Sequence, residues 1–445
     1  MSIIKDRLLS EKNEKILISE RINEGYIKPT LEEQRWANEV ILNISRQFSD
    51  LLIGRDVEEL SPEIKKAVEE ECSKLDLSFE ERKRIEKTVI MTALGNGPIE
   101  EYLKDPTVTE VIVMRYDNIA IERYGKVEKV EAVFASEEHL QTIIKRIVQK
   151  VGRQISIASP IVDARLSDGS RVNATIPPVS VDGATLTIRK FSDNFLTGEN
   201  YVSNGSLSQN MLYFLSVCVQ AKISMFVSGG TGTGKTTLLN MLSSYIPHSE
   251  LIITIEDSCE LKLQQPNVRR METRLAANEE MANIDQKALV RAALRQRPDR
   301  IILGETRDGS VVDIISAMST GHEGSLTTIH ANSPRNMCDV RVPILYSMNE
   351  EVNFTEKSIA VQLAEAIQLI IQISRFPDGS RKITHISEVD GVNELGKVNI
   401  NDIYTYNILE SRFEYTGYYP ARIIELIEKK GIYIEKSIFN KGVKV

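Results

Sequence analysis

The sequence predicts an α/β protein built around a mostly parallel sheet. Three observations carry this. Apolar strand-like runs alternate with amphipathic helices from about residue 209 to about residue 390. A glycine-rich run stands at the first strand-to-helix junction of that region, and polar residues follow three of the other strand candidates. Alternation of this kind covers a parallel sheet with helices, and open sheets bind ligands at the carboxyl ends of their strands.

At 445 residues the chain exceeds one ordinary core, so two or three domains are expected. Apolar residues make up 42% and charged residues 27%, the usual balance of a soluble globular protein. With 63 acidic against 55 basic residues the net charge is −8, which weighs against a chain that coats nucleic acid. Cys72, Cys218, Cys259 and Cys338 form no CxxC pair, so neither a zinc site nor a disulfide framework is indicated. The stretch from Met1 to Glu20 is rich in Lys and Glu and lacks the apolar segment of a signal peptide. No apolar run approaches bilayer length, so a cytoplasmic protein that meets the membrane only through partners is expected.

In chain order, residues 1–92 read as a charged helical region. Ser61-Pro62-Glu63 is a helix start, and Ser78 with Glu81 is a capping box. The character changes near Leu94-Gly95-Asn96-Gly97-Pro98. Strands are expected at Val108 to Met114, Ile119 to Arg123, Lys126 to Val130, Arg171 to Ile176 and Ala184 to Arg189, with a helix from Ser136 through Val148. Residues 93–190 thus form a smaller mixed α/β domain. Residues 191–208, rich in Ser, Asn, Asp and Gly, read as a linker. Residues 209–445 form the larger domain with a C-terminal extension. Its expected strands are Ile223 to Val227, Leu251 to Ile255, Arg300 to Leu303, Ser325 to Ile329 and Leu369 to Ile373.

The strongest motif is Gly229-Gly230-Thr231-Gly232-Thr233-Gly234-Lys235-Thr236-Thr237, which matches G-x-x-x-x-G-K-[ST] between a strand and a helix. Its glycines let backbone N–H groups turn inward around phosphates. Lys235 supplies positive charge to the β and γ phosphates, the Thr236 hydroxyl suits Mg²⁺, and the helix N-terminus favours an anion. Three polar groups follow other strands: Glu256 and Glu260, Glu305, and His330. Any one alone reads as a solvated strand end; three beside a phosphate loop read as function. Gly304 stands where many such enzymes carry a first acid, so Glu256 or Glu260 is expected to replace it. Metal coordination and water activation are then shared between two strand ends, and which Glu does which task stays open here. His322 and His330 place two of five histidines in one short stretch, and both are candidates to face a γ-phosphate.

Taken together, these motifs resemble the secretion ATPase superfamily that powers type II and type IV secretion and type IV pili. Gly229 to Thr237 resembles its Walker A, Ile255 to Leu261 its Asp box, Arg297 to Arg307 its Walker B segment and Gly321 to Pro334 its His box. Gly97 to Val113, Asp163 to Val179, Leu186 to Phe191 and Thr416 to Ile432 resemble the CpaF-type ATPases of Tad, or Flp, pili. The resemblance runs from about Gly95 to the C-terminus.

The resemblance implies a hexameric ring whose RecA-like P-loop domain follows a PAS-like α/β domain, with Mg²⁺-ATP bound between the two. It implies Glu260 as general base, Glu305 as a Mg²⁺ ligand, and Arg171 and Arg189, with Arg165 behind them, reaching the γ-phosphate. Inner-membrane platform proteins are the implied partners. Met114-Arg115-Tyr116 and Thr306 depart from the usual spelling, and the tetracysteine module of many type II secretion ATPases is missing. The rivals are a type IV secretion motor of the same superfamily and, from another class, a nucleic-acid translocase, which the acidic balance disfavours.

Overall fold

The computed structural model describes residues 30–48, 62–191, 195–274, 283–349 and 354–439. The expectations for Met1 to Glu20 and for Ser61 lie outside them. The chain divides into two compact units, with the boundary between Phe191 and Ser192.

The first unit begins with three helices, α1 (Leu31–Phe48), α2 (Pro62–Ser73) and α3 (Phe79–Leu94). Their apolar residues recur at three- and four-residue spacing, so each helix offers one face to a small shared core of Ala37, Val40, Ile41, Ile44, Val68, Cys72, Ile85 and Val89. The capping box at α3 forms as spelled: Ser78 N–H donates to Glu81 Oε2 at 2.9 Å and Glu81 N–H to Ser78 Oγ at 3.3 Å.

Next come six antiparallel strands, β1 (Val108–Arg115), β2 (Asn118–Arg123), β3 (Lys126–Val130), β4 (Ile161–Arg165), β5 (Arg171–Thr175) and β6 (Thr185–Arg189), in the order β3-β2-β1-β6-β5-β4. Helix α4 (Glu137–Gln149), capped by Ser136, buries Leu140, Ile143, Ile144 and Ile147 in the same core as Val111, Val172, Leu186 and Ile188 of the sheet. The buried Arg146 of α4 donates to Gly95 O at 2.7 Å and fastens the turn after α3.

The second unit opens on a correction. Residues 191–208 read as a linker, yet Gly198–Ser203 forms a helix, α5, closed by a capping box between Thr197 and Asn200. Its Tyr201 is buried in the core beside α6 (Gln209–Gln220). The cap ends in Asn rather than Glu or Gln, which hides it from a search for the usual pattern.

The nine strands of this unit are ordered β15-β14-β13-β12-β7-β11-β10-β8-β9. Strands β7 (Met225–Gly229), β8 (Ile252–Glu256), β9 (Val268–Glu272), β10 (Arg300–Thr306), β11 (Leu326–Ile329) and β12 (Leu369–Arg375) run parallel. The interior ones are nearly continuous apolar runs because helices cover both faces. Helices α7 (Lys235–Ser243), α8 (Gln286–Leu294), α9 (Val311–Ser319) and α10 (Glu356–Ala366) supply that cover. The sheet does not stop near Asp390. Strands β13 (Arg381–Val392), β14 (Val398–Asn407) and β15 (Arg412–Tyr415) extend it as an antiparallel meander, packed by α11 (Ala421–Lys429). All four cysteines are buried and free.

Candidate functional site

The phosphate-type loop leaves β7, whose five residues are all buried, and enters α7 at Lys235. Gly232 and Gly234 have φ of +69° and +91°, the left-handed region that side chains resist. Gly229 has a different reason: a Cβ there would stand 2.5 Å from the carbonyl oxygen of Ile373 on the adjacent β12. Within the loop Thr233 Oγ1 donates to Gly230 O at 3.0 Å. Thr236 is half-buried in the first turn of α7, while Thr231 and Thr237 are exposed.

Two strand ends link to this loop through Lys235. Lys235, 7% exposed, donates from Nζ to Gly230 O at 2.9 Å, and the same Nζ lies 3.2 Å from His330 Nδ1 and 3.3 Å from Nε2. His330 Nε2 stands 2.6 Å from Glu305 Oε1. Burial, and then the Lys235 charge, hold the imidazole below its ordinary pKa, against the pull of Glu305. A neutral ring that accepts from Lys235 at Nδ1 and donates from Nε2 to Glu305 satisfies both contacts. Glu305 lies inside β10, one residue before its end, rather than beyond the strand.

Glu256 ends β8, only 2% exposed. Its Oε1 accepts the N–H groups of Glu260 at 2.8 Å and Leu261 at 2.9 Å. Burial pushes its carboxyl up to about 7, partly offset by those two N–H donors. The glycine at 304 now has a cause. A Cβ there would stand 2.9 Å from Glu256 Cγ, so the Glu256 side chain fills the space of the missing first acid. Glu260 follows on the loop, half-buried.

The structure separates one pair that the sequence had joined. His322 precedes β11 and His330 follows it, so the strand lies between them and His322 sits at the opposite edge of the sheet from the phosphate-type loop. Four residues of strand span about 13 Å. Its carbonyl accepts from Ser325 Oγ at 2.8 Å.

Arg171 and Arg189 belong to the first unit and face each other across β5 and β6. Arg165 pairs with Arg171 on the other side, and Glu110 of β1 with Arg189. Directly paired residues share a sheet face, so this is one cross-strand row. Val172 and Ile188 point the other way, into the core, which leaves Arg171 and Arg189 on the exposed face.

Two residues absent from the sequence reading lie against the loop. Arg375 and Arg381 are cross-strand partners at the β12–β13 turn, and Arg381 Nε donates to Gly232 O at 3.2 Å. The turn Asp378-Gly379-Ser380 was the legible signal of a hairpin there.

The donor set suits a nucleotide phosphate chain. The loop is glycine where the backbone must turn, Lys235 supplies the cation, and the buried Ser228 Oγ near the end of β7 has no protein partner. No group of three or more His, Cys, Asp or Glu among the described residues could cage a metal ion. Mg²⁺ needs no such cage when phosphates and water fill most of its shell, and the Thr236 hydroxyl and the Glu305 carboxylate are the groups that fit it.

Residues 92–391 match the family described as "Type II/IV secretion system protein". A putative conjugal transfer protein of Mycobacterium tuberculosis is 30% identical over 306 residues, 67% of this chain and 86% of that protein. The type IV secretion system protein VirB11 of Bartonella quintana is 29% identical over 334 residues, 67% of this chain and 93% of its own length. The crystal structure of the VirB11 ATPase from the Brucella suis type IV secretion system, in complex with sulphate, is 29% identical and covers 65% of this chain and 92% of that one, with a TM-score of 0.37. The chain belongs to the type II/IV secretion system protein family.

Proposed function

We propose that this chain is a Mg²⁺-dependent ATPase, a RecA-like motor domain behind a PAS-like one, that turns hydrolysis into mechanical work for a secretion or pilus machine. The observation that carries the reading is the convergence of Lys235, His330 and Glu305 on one glycine-rich loop at the carboxyl edge of a parallel sheet. Family membership supports it.

The roles follow from the chemistry. Phosphoryl transfer needs positioning and charge stabilisation more than covalent help. The loop N–H groups and Lys235 hold the β and γ phosphates. Bound Mg²⁺ would neutralise charge on those oxygens, with Thr236 and Glu305 as its protein contacts. Glu260 takes the proton of the attacking water, and His330 holds Lys235 and Glu305 in register, accepting from the one and donating to the other. The Arg171 and Arg189 fork geometry suits bidentate contact with a γ-phosphate, which supports a sensing role. Arg171→Ala and Arg189→Ala are expected to lose hydrolysis while ADP binding persists; normal hydrolysis in both would make the row structural.

The spelling of Gly97 to Val113 and Asp163 to Val179 supports a Tad, or Flp, pilus motor working as a hexamer against inner-membrane platform proteins from the cytoplasmic side. No helix among the described residues is long and apolar enough to cross a membrane. The relatives named for conjugal transfer and type IV secretion favour a second reading, a type IV secretion motor. Phosphate release by the purified chain with and without Mg²⁺, and its mass by light scattering with a non-hydrolysable ATP analogue, test the common core of both. A chain that releases no phosphate, or a strict monomer that turns over ATP at full rate, contradicts it.

A further inference from the structure

The loop that carries Glu260 has neither helix nor strand from Asp257 to Asn267. Its backbone is nevertheless held at four consecutive N–H groups, each by a side chain. Cys259 N–H donates to Glu272 Oε2 at 3.0 Å, Glu260 and Leu261 N–H both donate to Glu256 Oε1, and Lys262 N–H donates to Asn240 Oδ1 at 2.9 Å. These acceptors come from three elements: β9, β8 and α7. A loop without regular structure must satisfy its backbone somehow, but water or other backbone would do that without fixing one geometry. Carboxylate and amide acceptors at defined strand and helix positions fix it.

We propose that Glu256 is a positioning residue for the proposed general base: its buried carboxylate sets where Glu260 stands and makes no contact with nucleotide itself. The inference rests on the reading of Glu260 as the base. Three features support it. The carboxylate is enclosed, and the oxygen that is engaged binds the very N–H of Glu260. Its stem is wedged against the Gly304 backbone, one residue from Glu305, so the base loop and the Glu305 strand are referenced to the same side chain. Asn240 then ties the far side of the loop to the helix that begins at Lys235. One small network therefore locates the proposed base relative to both other functional strand ends.

The prediction separates turnover from binding. Substitutions are made in the full chain and read by phosphate release, by titration with a fluorescent ADP analogue and by thermal melting. Glu256→Met keeps the volume but lacks an acceptor; it is expected to lower kcat about 10²-fold, the scale of a misplaced catalytic group, with ADP affinity within about twofold. Glu256→Gln keeps Oε1 as an acceptor and is expected to recover most of the lost turnover. Asn240→Ala removes one of the four ties and is expected to lower kcat about tenfold at unchanged ADP affinity; it decides the matter if Glu256→Met does not fold. Parental kcat in Glu256→Met overturns the inference. So does a Gln variant no better than Met, or ADP affinity lost in step with kcat, since either would mean that the charge serves the nucleotide directly. An active parent with an inactive Glu260→Gln variant upholds the reading of the base, so that an active Glu256→Met then sinks the positioning role alone. A Glu260→Gln variant as active as the parent, or an inactive parent, overturns both.

Discussion

The two edges of the large sheet hold similar chemistry and use it differently. At the edge where the parallel strands begin, Arg300 is fully buried and bound by Glu250 through two contacts, Nε to Oε2 at 2.6 Å and Nη2 to Oε1 at 3.1 Å. Its Nη1 donates to Gly324 O at 3.4 Å, and Ser325 Oγ accepts Ile301 N–H at 3.1 Å. At the edge where they end, Lys235, His330 and Glu305 meet, but Ser228 Oγ and Gln372 Oε1 are buried without a protein partner. An unpaired buried polar atom costs stability. A closed set of partners therefore reads as architecture and an open set as a place for a ligand. Among the described residues, His322 Nδ1 and Gln265 Oε1, just before β9, are unpartnered near the closed edge and are the exceptions there.

The comparison can be broken from either side. The largest effect is expected for Lys235→Ala, which should lower Mg²⁺-dependent phosphate release by about 10²–10³-fold or more, as for loss of a charge-stabilising donor. Its melting temperature should hold, because the cation serves the ligand rather than the core. Turnover near the parental rate would remove the open edge from the chemistry. Arg300→Met is the converse test. Removing Arg300 leaves Glu250 only the longer contact with Lys222 Nζ at 3.8 Å, and a cost of about 3 kcal/mol in unfolding free energy is expected. Nucleotide affinity of the folded fraction should be unchanged. A stable Arg300→Met protein that no longer binds nucleotide would invert the assignment of the two edges. The smallest effect is expected for His322→Ala, whose ADP affinity should stay within about twofold of the parent. A loss as large as that from Lys235→Ala would place His322 at the site after all.

Much of this was legible because the chemistry is contiguous. Strand, glycine loop and helix from Met225 to Ser243 are one stretch of chain, and Gly229, Gly232 and Gly234 each answer to a backbone need. Glu256, Glu305 and His330 were legible because each stands within one residue of the carboxyl end of a strand of the same parallel sheet. What failed was geometry across a strand: His322 and His330 are close in sequence, but a strand between two residues puts them at opposite edges. The cause of Gly304 was hidden because it lies in a side chain 48 positions away, on a neighbouring strand. Strand β9, with Arg269, Arg270 and Glu272 on an exposed edge, carries the charges that edge strands use and so does not read as a strand. Strands β13 to β15 escaped because the parallel pattern was expected to end with β12, although Asp378-Gly379-Ser380 and Asn393 to Gly396 mark turns.

The most direct test of the central claim is a paired measurement on Glu260→Gln: ATP affinity and phosphate release from the same preparation. A base acts on the attacking water and not on ground-state binding. The account predicts that affinity is kept while phosphate release is abolished. Normal release by Glu260→Gln beside a dead Glu305→Gln variant would contradict it and reverse the two roles.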